Sequence, residues 1–137
     1  DLPVIMHCRD ATGDCMEILR QYRPKGVMHC FSGSAETARE LVAMGLYVGF
    51  TGVLTFKNAR RALEAAQALP RDRVVLETDC PYMAPEPFRG RRNDPSLVPY
   101  VAAKIAALRG LSSEQVGAAT SENARRLFRI SEAVKKS

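Results

Sequence analysis

This sequence of 137 residues lacks long apolar runs, and nothing in it approaches the ~18 consecutive apolar residues of a membrane span. None of its four cysteines stands in a C-x-x-C pair, which disfavours a zinc ribbon or a thioredoxin-type motif. Histidine is scarce, with only two in the chain. There is no low-complexity segment and no internal linker. The opening Asp1-Leu2-Pro3-Val4 has no initiator Met and no basic region of a secretory signal. Strand-like sequence begins at once, so the expectation is a cytoplasmic chain cut from something longer.

What is present describes a folded α/β domain. Apolar residues make up 46% and charged residues 26%, a balance that supports a packed core and argues against disorder. Lys plus Arg exceeds Asp plus Glu by 20 − 15, giving +5. That charge suits an anionic partner such as nucleic acid, although many soluble proteins carry it and bind no polyanion.

Four short apolar runs read as strands: Pro3 to Cys8, Gly26 to Phe31, Leu46 to Gly52 and Arg73 to Asp79. Helical spacing separates them. Cys15, Ile18, Leu19 and Tyr22 form one stripe, ended by Pro24 and Gly26. Ala38, Leu41, Val42 and Gly45 form a second, and Ala59, Ala62, Leu63 and Ala66 a third. The two glycines of the third strand, Gly49 and Gly52, suggest close backbone approach. Residues Tyr82 to Asn93 form a long Pro- and Arg-rich loop. Asp94-Pro95 then has the form of a helix start, and Gly110 of a helix stop. Ser112 to Gln115 fits a capping box opening a last helix to Phe128. Its buried stripe is Val116, Ala119, Thr120, Asn123 and Leu127, with Asn123 as a structural hydrogen-bonding residue. Strands alternating with helices, each strand apolar throughout, predict a parallel sheet.

Both histidines end a strand, and Glu77 and Asp79 end another. Functional groups of parallel α/β folds gather at the C-terminal ends of strands, so His7, His29 and Asp79 would share a rim. Imidazole and carboxylate suit a divalent metal. Each residue also has a plainer reading, as a hydrogen-bonded core histidine or a strand-ending acid. Glu77 would share Asp79's face if the strand is regular, as a partner orienting a ligand or as a structural acid. Spacing alone leans towards a metal hydrolase, with a non-catalytic α/β domain as its rival. Three cysteines directly follow these groups, at His7-Cys8, His29-Cys30 and Asp79-Cys80. Strand alternation would turn them to the other face as small buried hydrophobes in a reducing compartment.

Six stretches resemble, in order, the motifs of the TatD family. They are PVIMHCRDA (Pro3 to Ala11), HCFSGS (His29 to Ser34), YVGFTG (Tyr47 to Gly52), LETDCPYMAP (Leu76 to Pro85), RRNDPS (Arg91 to Ser96) and TSENARRLF (Thr120 to Phe128). These proteins are metal-dependent deoxyribonucleases of the amidohydrolase-like TIM-barrel group. The resemblance implies that His7 and Asp79 bind metal, that His29 binds it or lies beside it, and that Asp79 also orients or deprotonates the attacking water. It puts Arg9, Arg92 and Asn93 near the substrate phosphate, where a guanidinium is a natural clamp; for Arg92 a solvated loop charge is the alternative. Tyr82 is expected to pack under the loop, with stacking on a base as the other option. Two divalent ions are implied, with Mg²⁺, Mn²⁺ and Zn²⁺ not distinguished, and DNA as substrate.

The family's H-x-H pair of strand one and the Glu of strand four are missing from this sequence. The expected fold is therefore α/β, the C-terminal half of a (β/α)₈ barrel whose full form needs ~250 residues. Residues 1–130 would supply four parallel strands with helices outside and two closing C-terminal helices, and 131–137 a polar tail. By itself the chain is expected to be inactive. Two alternatives stand beside hydrolysis of DNA. One is a non-catalytic half-barrel whose open edges pair with the N-terminal half or with another copy. The other is a hydrolase acting on a different ester, such as aminoacyl-tRNA.

Overall fold

The computed structural model describes residues 1–131. In chain order it has β1 (Val4–Met6), α1 (Thr12–Tyr22), β2 (Gly26–Met28), α2 (Ala35–Ala43) and β3 (Tyr47–Phe50). It continues with α3 (Arg60–Ala68), β4 (Val74–Leu76), α4 (Val98–Arg109) and α5 (Ser113–Phe128). The strands form one sheet in the order β1-β2-β3-β4, and every pairing is parallel. Of the expected tail, everything beyond Ser131 lies outside the described residues. No helix among the described residues is long and apolar enough to cross a membrane.

Alternation along the strands sends neighbours to opposite faces. Met28, Val48, Phe50 and Val74 face the helices, where they join Leu19 of α1, Leu41 of α2, Ala65 of α3 and Ile105 of α4. Val27, Tyr47 and Val75 face the other way and meet Leu127 of α5. Burying a side chain such as Leu41 or Phe50 contributes ~1.5–3 kcal/mol, so this helix-facing layer dominates the stability. The end of α5 lies across the N-terminal ends of the strands, where Arg126, Leu127 and Arg129 border Gly26, Tyr47 and Arg73. It is anchored by Asn123, whose Nδ2 donates to the carbonyls of Arg71 at 2.6 Å and Val74 at 2.8 Å.

Local signals end the helices as the sequence suggests. Arg23 adopts a left-handed conformation at the end of α1, just before Pro24, and Gly110 does so after α4. The Asp94 side chain accepts from Ser96 N–H, starting a 3₁₀ turn that runs into α4. Ser112 and Gln115 form both halves of the capping box. Arg109 adds a contact the sequence did not reveal: its guanidinium donates to the Ala66 and Leu69 carbonyls at the end of α3.

Three expectations are corrected. The strands are shorter than the apolar runs, because left-handed residues interrupt them: Cys30 at φ 49° and Asp79 at φ 58°. On α1, Met16 and Leu19 are buried, while Ile18 and Tyr22 are 56% and 70% exposed. The helix is turned by about one residue, ~100°, because α1 packs beside the open edge strand β1 and nothing described covers its outer side. Finally, no cysteine is fully buried: Cys80 is exposed and the other three are half-buried. Each sits just past a strand end or on a helix, so strand alternation does not apply to it.

Candidate metal centre

Backbone ladder bonds extend beyond the regular strands and carry the site residues into place. His29 N–H donates to the Met6 carbonyl and Glu77 N–H to the Phe50 carbonyl, each at 2.9 Å. The His29 ring is then bracketed by two acids. Its Nδ1 lies 2.8 Å from Oε2 of Glu77, and its Nε2 lies 3.0 Å from Oδ1 of Asp79. The same Glu77 oxygen accepts from the Cys30 N–H at 2.8 Å. Glu77 and His29 are largely buried, with side chains 16% and 20% exposed. The His7 ring lies beside this group, its centroid 6.2 Å from that of His29.

The expected closeness of the β3 backbone is present at both glycines. A Cβ on Gly49 would lie closer than 3.0 Å to the Glu77 carboxyl, so the acid crosses β3 where a side chain is missing. A Cβ on Gly52 would meet the Met83 carbonyl and the Pro85 backbone in the same way. Gly52 thus lets the loop after β4 lie down on the site. Sequence reasoning paired Glu77 with Asp79 through strand alternation. The structure pairs them through His29, because the strand has already ended.

The electrostatics follow from this enclosure. Burial alone would lower the His29 pKa, but the carboxylates of Glu77 and Asp79 outweigh it and hold the imidazole above its ordinary range. Burial pushes the Glu77 carboxyl up, against the opposing pull of the Cys30 N–H and of His29. Burial likewise raises the Cys30 thiol.

With Nδ1–H donating to Glu77, a neutral His29 turns its Nε2 lone pair towards Asp79. Two lone-pair donors at 3.0 Å repel unless a cation joins them. A proton serves in the metal-free chain, and a divalent cation suits the same pair. A carboxylate that fixes the ring nitrogen away from the cation is the usual support of a metal-binding histidine. The donor chemistry therefore fits a metal. Among the described residues, however, no group of three or more His, Cys, Asp or Glu side chains converges as a complete set of ligands. His29 and Asp79 form the pair, and His7 stands next to it.

The other expected site residues divide. Arg9 and Arg92 are exposed, and Arg9 shares a cavity wall with His29. Asn93 is buried, and its Nδ2 donates to the Thr78 and Tyr82 carbonyls at 2.8 Å each. Its amide protons are thus spent on folding the loop, and its Oδ1 is buried with no partner among the described residues. Tyr82 is 71% exposed and does not pack under the loop as expected. Sequence reasoning left Cys30 without a role in the site, although its N–H helps hold Glu77. No local signal announces that role.

Histidine and carboxylate groups at the C-terminal ends of parallel strands define the class of metal-dependent hydrolases built on α/β barrels. The chain belongs to the TatD-related DNase family, whose model matches residues 1–129. It is 50% identical over 133 residues to the "Uncharacterized metal-dependent hydrolase YabD" of Bacillus subtilis, covering 95% of this chain and 52% of that protein. It is 39% identical over 140 residues to the "3'-5' ssDNA/RNA exonuclease TatD" of Pantoea vagans, covering 95% and 53%. Among solved structures, the TatD homologue YJJV of Escherichia coli superposes with a TM-score of 0.87 at 31% identity, covering 96% and 51%. The chain spans about half the length of the curated relatives it matches.

Proposed function

We propose that this chain supplies the C-terminal half of a two-metal nuclease centre that hydrolyses phosphodiester bonds of DNA. The observation that carries the reading is the His29–Asp79 pair, with Glu77 fixing the far side of the ring. The nuclease names of relatives and the net charge of +5 support a nucleic-acid substrate. His7, His29 and Asp79 would hold divalent ions. Such ions, when bound, polarise phosphoryl oxygens and lower the pKa of water. Asp79 orients the attacking water and accepts its proton. Glu77 keeps the His29 ring in one tautomer and one orientation. Arg9 and Arg92 hold the phosphate through charge-assisted hydrogen bonds, and Asn93 keeps the loop that carries Arg92 folded.

The ligand set is completed by a partner, the N-terminal half of the barrel or a second copy. The open edge favours this: Val4 and Ile5 of β1 are 45% and 61% exposed, and β1 pairs only with β2 among the described residues. In the complete protein, Asp79→Asn is expected to abolish metal-dependent hydrolysis of DNA while leaving the circular dichroism spectrum intact. Normal nuclease activity in that variant overturns the role of Asp79. For the partner, light scattering behind size exclusion is decisive. A monomeric chain that hydrolyses DNA with metal alone refutes the need for one.

A further inference from the structure

A cavity of about 310 Å³ opens at the N-terminal ends of the strands, at the opposite end of the sheet from His29 and Asp79. Among the described residues its lining holds the cationic side chains Lys25, Arg73, Arg126 and Arg129 and no acidic one. They come from separate elements. Lys25 directly precedes β2, Arg73 directly precedes β4, and Arg126 and Arg129 stand at the end of α5. Cations at the C-terminus of a helix are favoured by its dipole, which accounts for Arg126 and Arg129. It does not account for Lys25 and Arg73. Like charges around one cavity repel, and an anion placed between them replaces that repulsion with attraction.

The cations are already arranged around an oxyanion. A single carboxylate oxygen, Oδ2 of Asp1, lies 2.9 Å from Arg129 Nη2 and 3.4 Å from Lys25 Nζ. Those two cations therefore converge on one point. Arg73 is half-buried and held on two sides. Its Nη1 donates to the Gly45 carbonyl at 3.2 Å, and its guanidinium carbon lies 4.9 Å from the centre of the Tyr47 ring. A guanidinium fixed in this way loses little freedom when its remaining N–H groups take an oxyanion. The other acid paired with these cations among the described residues is Glu122, which approaches Arg126 only to 3.8 Å.

We propose that this cavity binds a small phosphate-bearing anion, free pyrophosphate or the diphosphate end of a nucleotide, at a site separate from the metal centre. Arg73 and Arg126 hold the phosphate oxygens through charge-assisted hydrogen bonds. Lys25 and Arg129 join them at the mouth, where the Asp1 carboxylate competes with the ligand. The bound anion ties the end of α5 to the N-terminal ends of β2 and β4.

The test uses the chain stripped of metal by a chelator, so that no anion is recruited through a metal ion. Titration calorimetry with inorganic pyrophosphate at fixed ionic strength should show one saturable site. Arg73→Gln should weaken it about tenfold or more, as expected for losing a hydrogen bond between charged groups. Arg126→Gln, at an exposed position whose change leaves the Gly45 and Tyr47 contacts intact, should do the same. Asp1→Asn removes the competing carboxylate and should tighten binding. Circular dichroism checks that each variant is folded. Adenosine diphosphate, titrated in parallel, separates the two sources: tighter binding than pyrophosphate assigns a nucleotide, and equal or weaker binding assigns the free anion. The site is overturned by an absence of saturable binding, or by an affinity that Arg73→Gln and Arg126→Gln leave unchanged while Arg9→Gln or Arg92→Gln abolishes it. Capture of an oligodeoxynucleotide on this face without any binding of pyrophosphate overturns it as well.

Discussion

Replacing Gly49 with alanine adds one methyl group, yet it should reach the metal centre. In an ordinary strand this change stabilises by ~0.5–1 kcal/mol, because glycine loses more backbone entropy on folding. At Gly49 the new Cβ would lie within 3.0 Å of Cδ and both carboxyl oxygens of Glu77. The carboxyl has to move, and it is held by two donors at 2.8 Å, His29 Nδ1 and Cys30 N–H. Hydrogen bonds to a charged group contribute ~1.5–3 kcal/mol each. The Glu77 side chain is only 16% exposed, so water does little to replace them. Losing both costs ~3–6 kcal/mol; set against the backbone gain, the net is a destabilisation of ~2–5 kcal/mol. Urea denaturation of Gly49→Ala measures this directly. Metal affinity should fall ~10–100-fold, the usual cost of losing a carboxylate that supports a histidine ligand. Titration calorimetry in the complete protein reads that loss. A variant as stable as the parent, with unchanged His29 imidazole resonances, refutes the claim that Gly49 exists to seat Glu77.

Three further changes test separate parts of the structure. In the metal-free protein His29 should titrate above an ordinary imidazole, and Glu77→Gln should lower its midpoint, since the burial that opposes the charge stays while one carboxylate is lost; an unchanged midpoint by NMR contradicts the assigned cause. Asn123→Ala strips donors from the Arg71 and Val74 carbonyls and should cost ~2–5 kcal/mol by chemical denaturation, with Asn123→Leu restoring bulk but not stability. Asp94, whose carboxyl is held below its ordinary range first by the Ser96 hydroxyl and then by the Ser96 N–H, contributes fully above the unfolded carboxylate pKa and loses its effect as pH falls through the lower folded value. The melting temperatures of Asp94→Ala and the parent should therefore differ near neutral pH and converge in acid, and a gap that persists in acid refutes the cap.

The parts legible in the sequence are those fixed by neighbours in the chain. The start of α5 follows from the Ser112–Gln115 box and the end of α4 from Gly110, and the parallel order of strands from their spacing. Asn123 was legible as a structural amide because it interrupts an apolar stripe. Asn93 was not, because a loop residue shows its burial only once Thr78 and Tyr82 have folded around it. The turn of α1 escaped for a related reason. Met16 and Ile18 are equally apolar, and only the position of the sheet decides which one is covered.

The metal centre was half legible, and its hidden half is the more instructive. Strand ends pointed to His29 and Asp79, but nothing local predicts how Glu77 is held. Its carboxylate comes from the end of β4 and crosses β3 at Gly49. It receives donors from two consecutive residues at the end of β2, the His29 ring and the Cys30 backbone. Both donors converge on one Glu77 oxygen, and directly after them Cys30 takes a left-handed conformation that turns the chain away from the strand. The strained residue that shortens β2 and the carboxylate that fixes the imidazole are thus parts of one device. It follows that Cys30→Gly, which keeps the left-handed turn and the N–H, should preserve the His29–Glu77 geometry, whereas Cys30→Val, which resists positive φ, should disturb it.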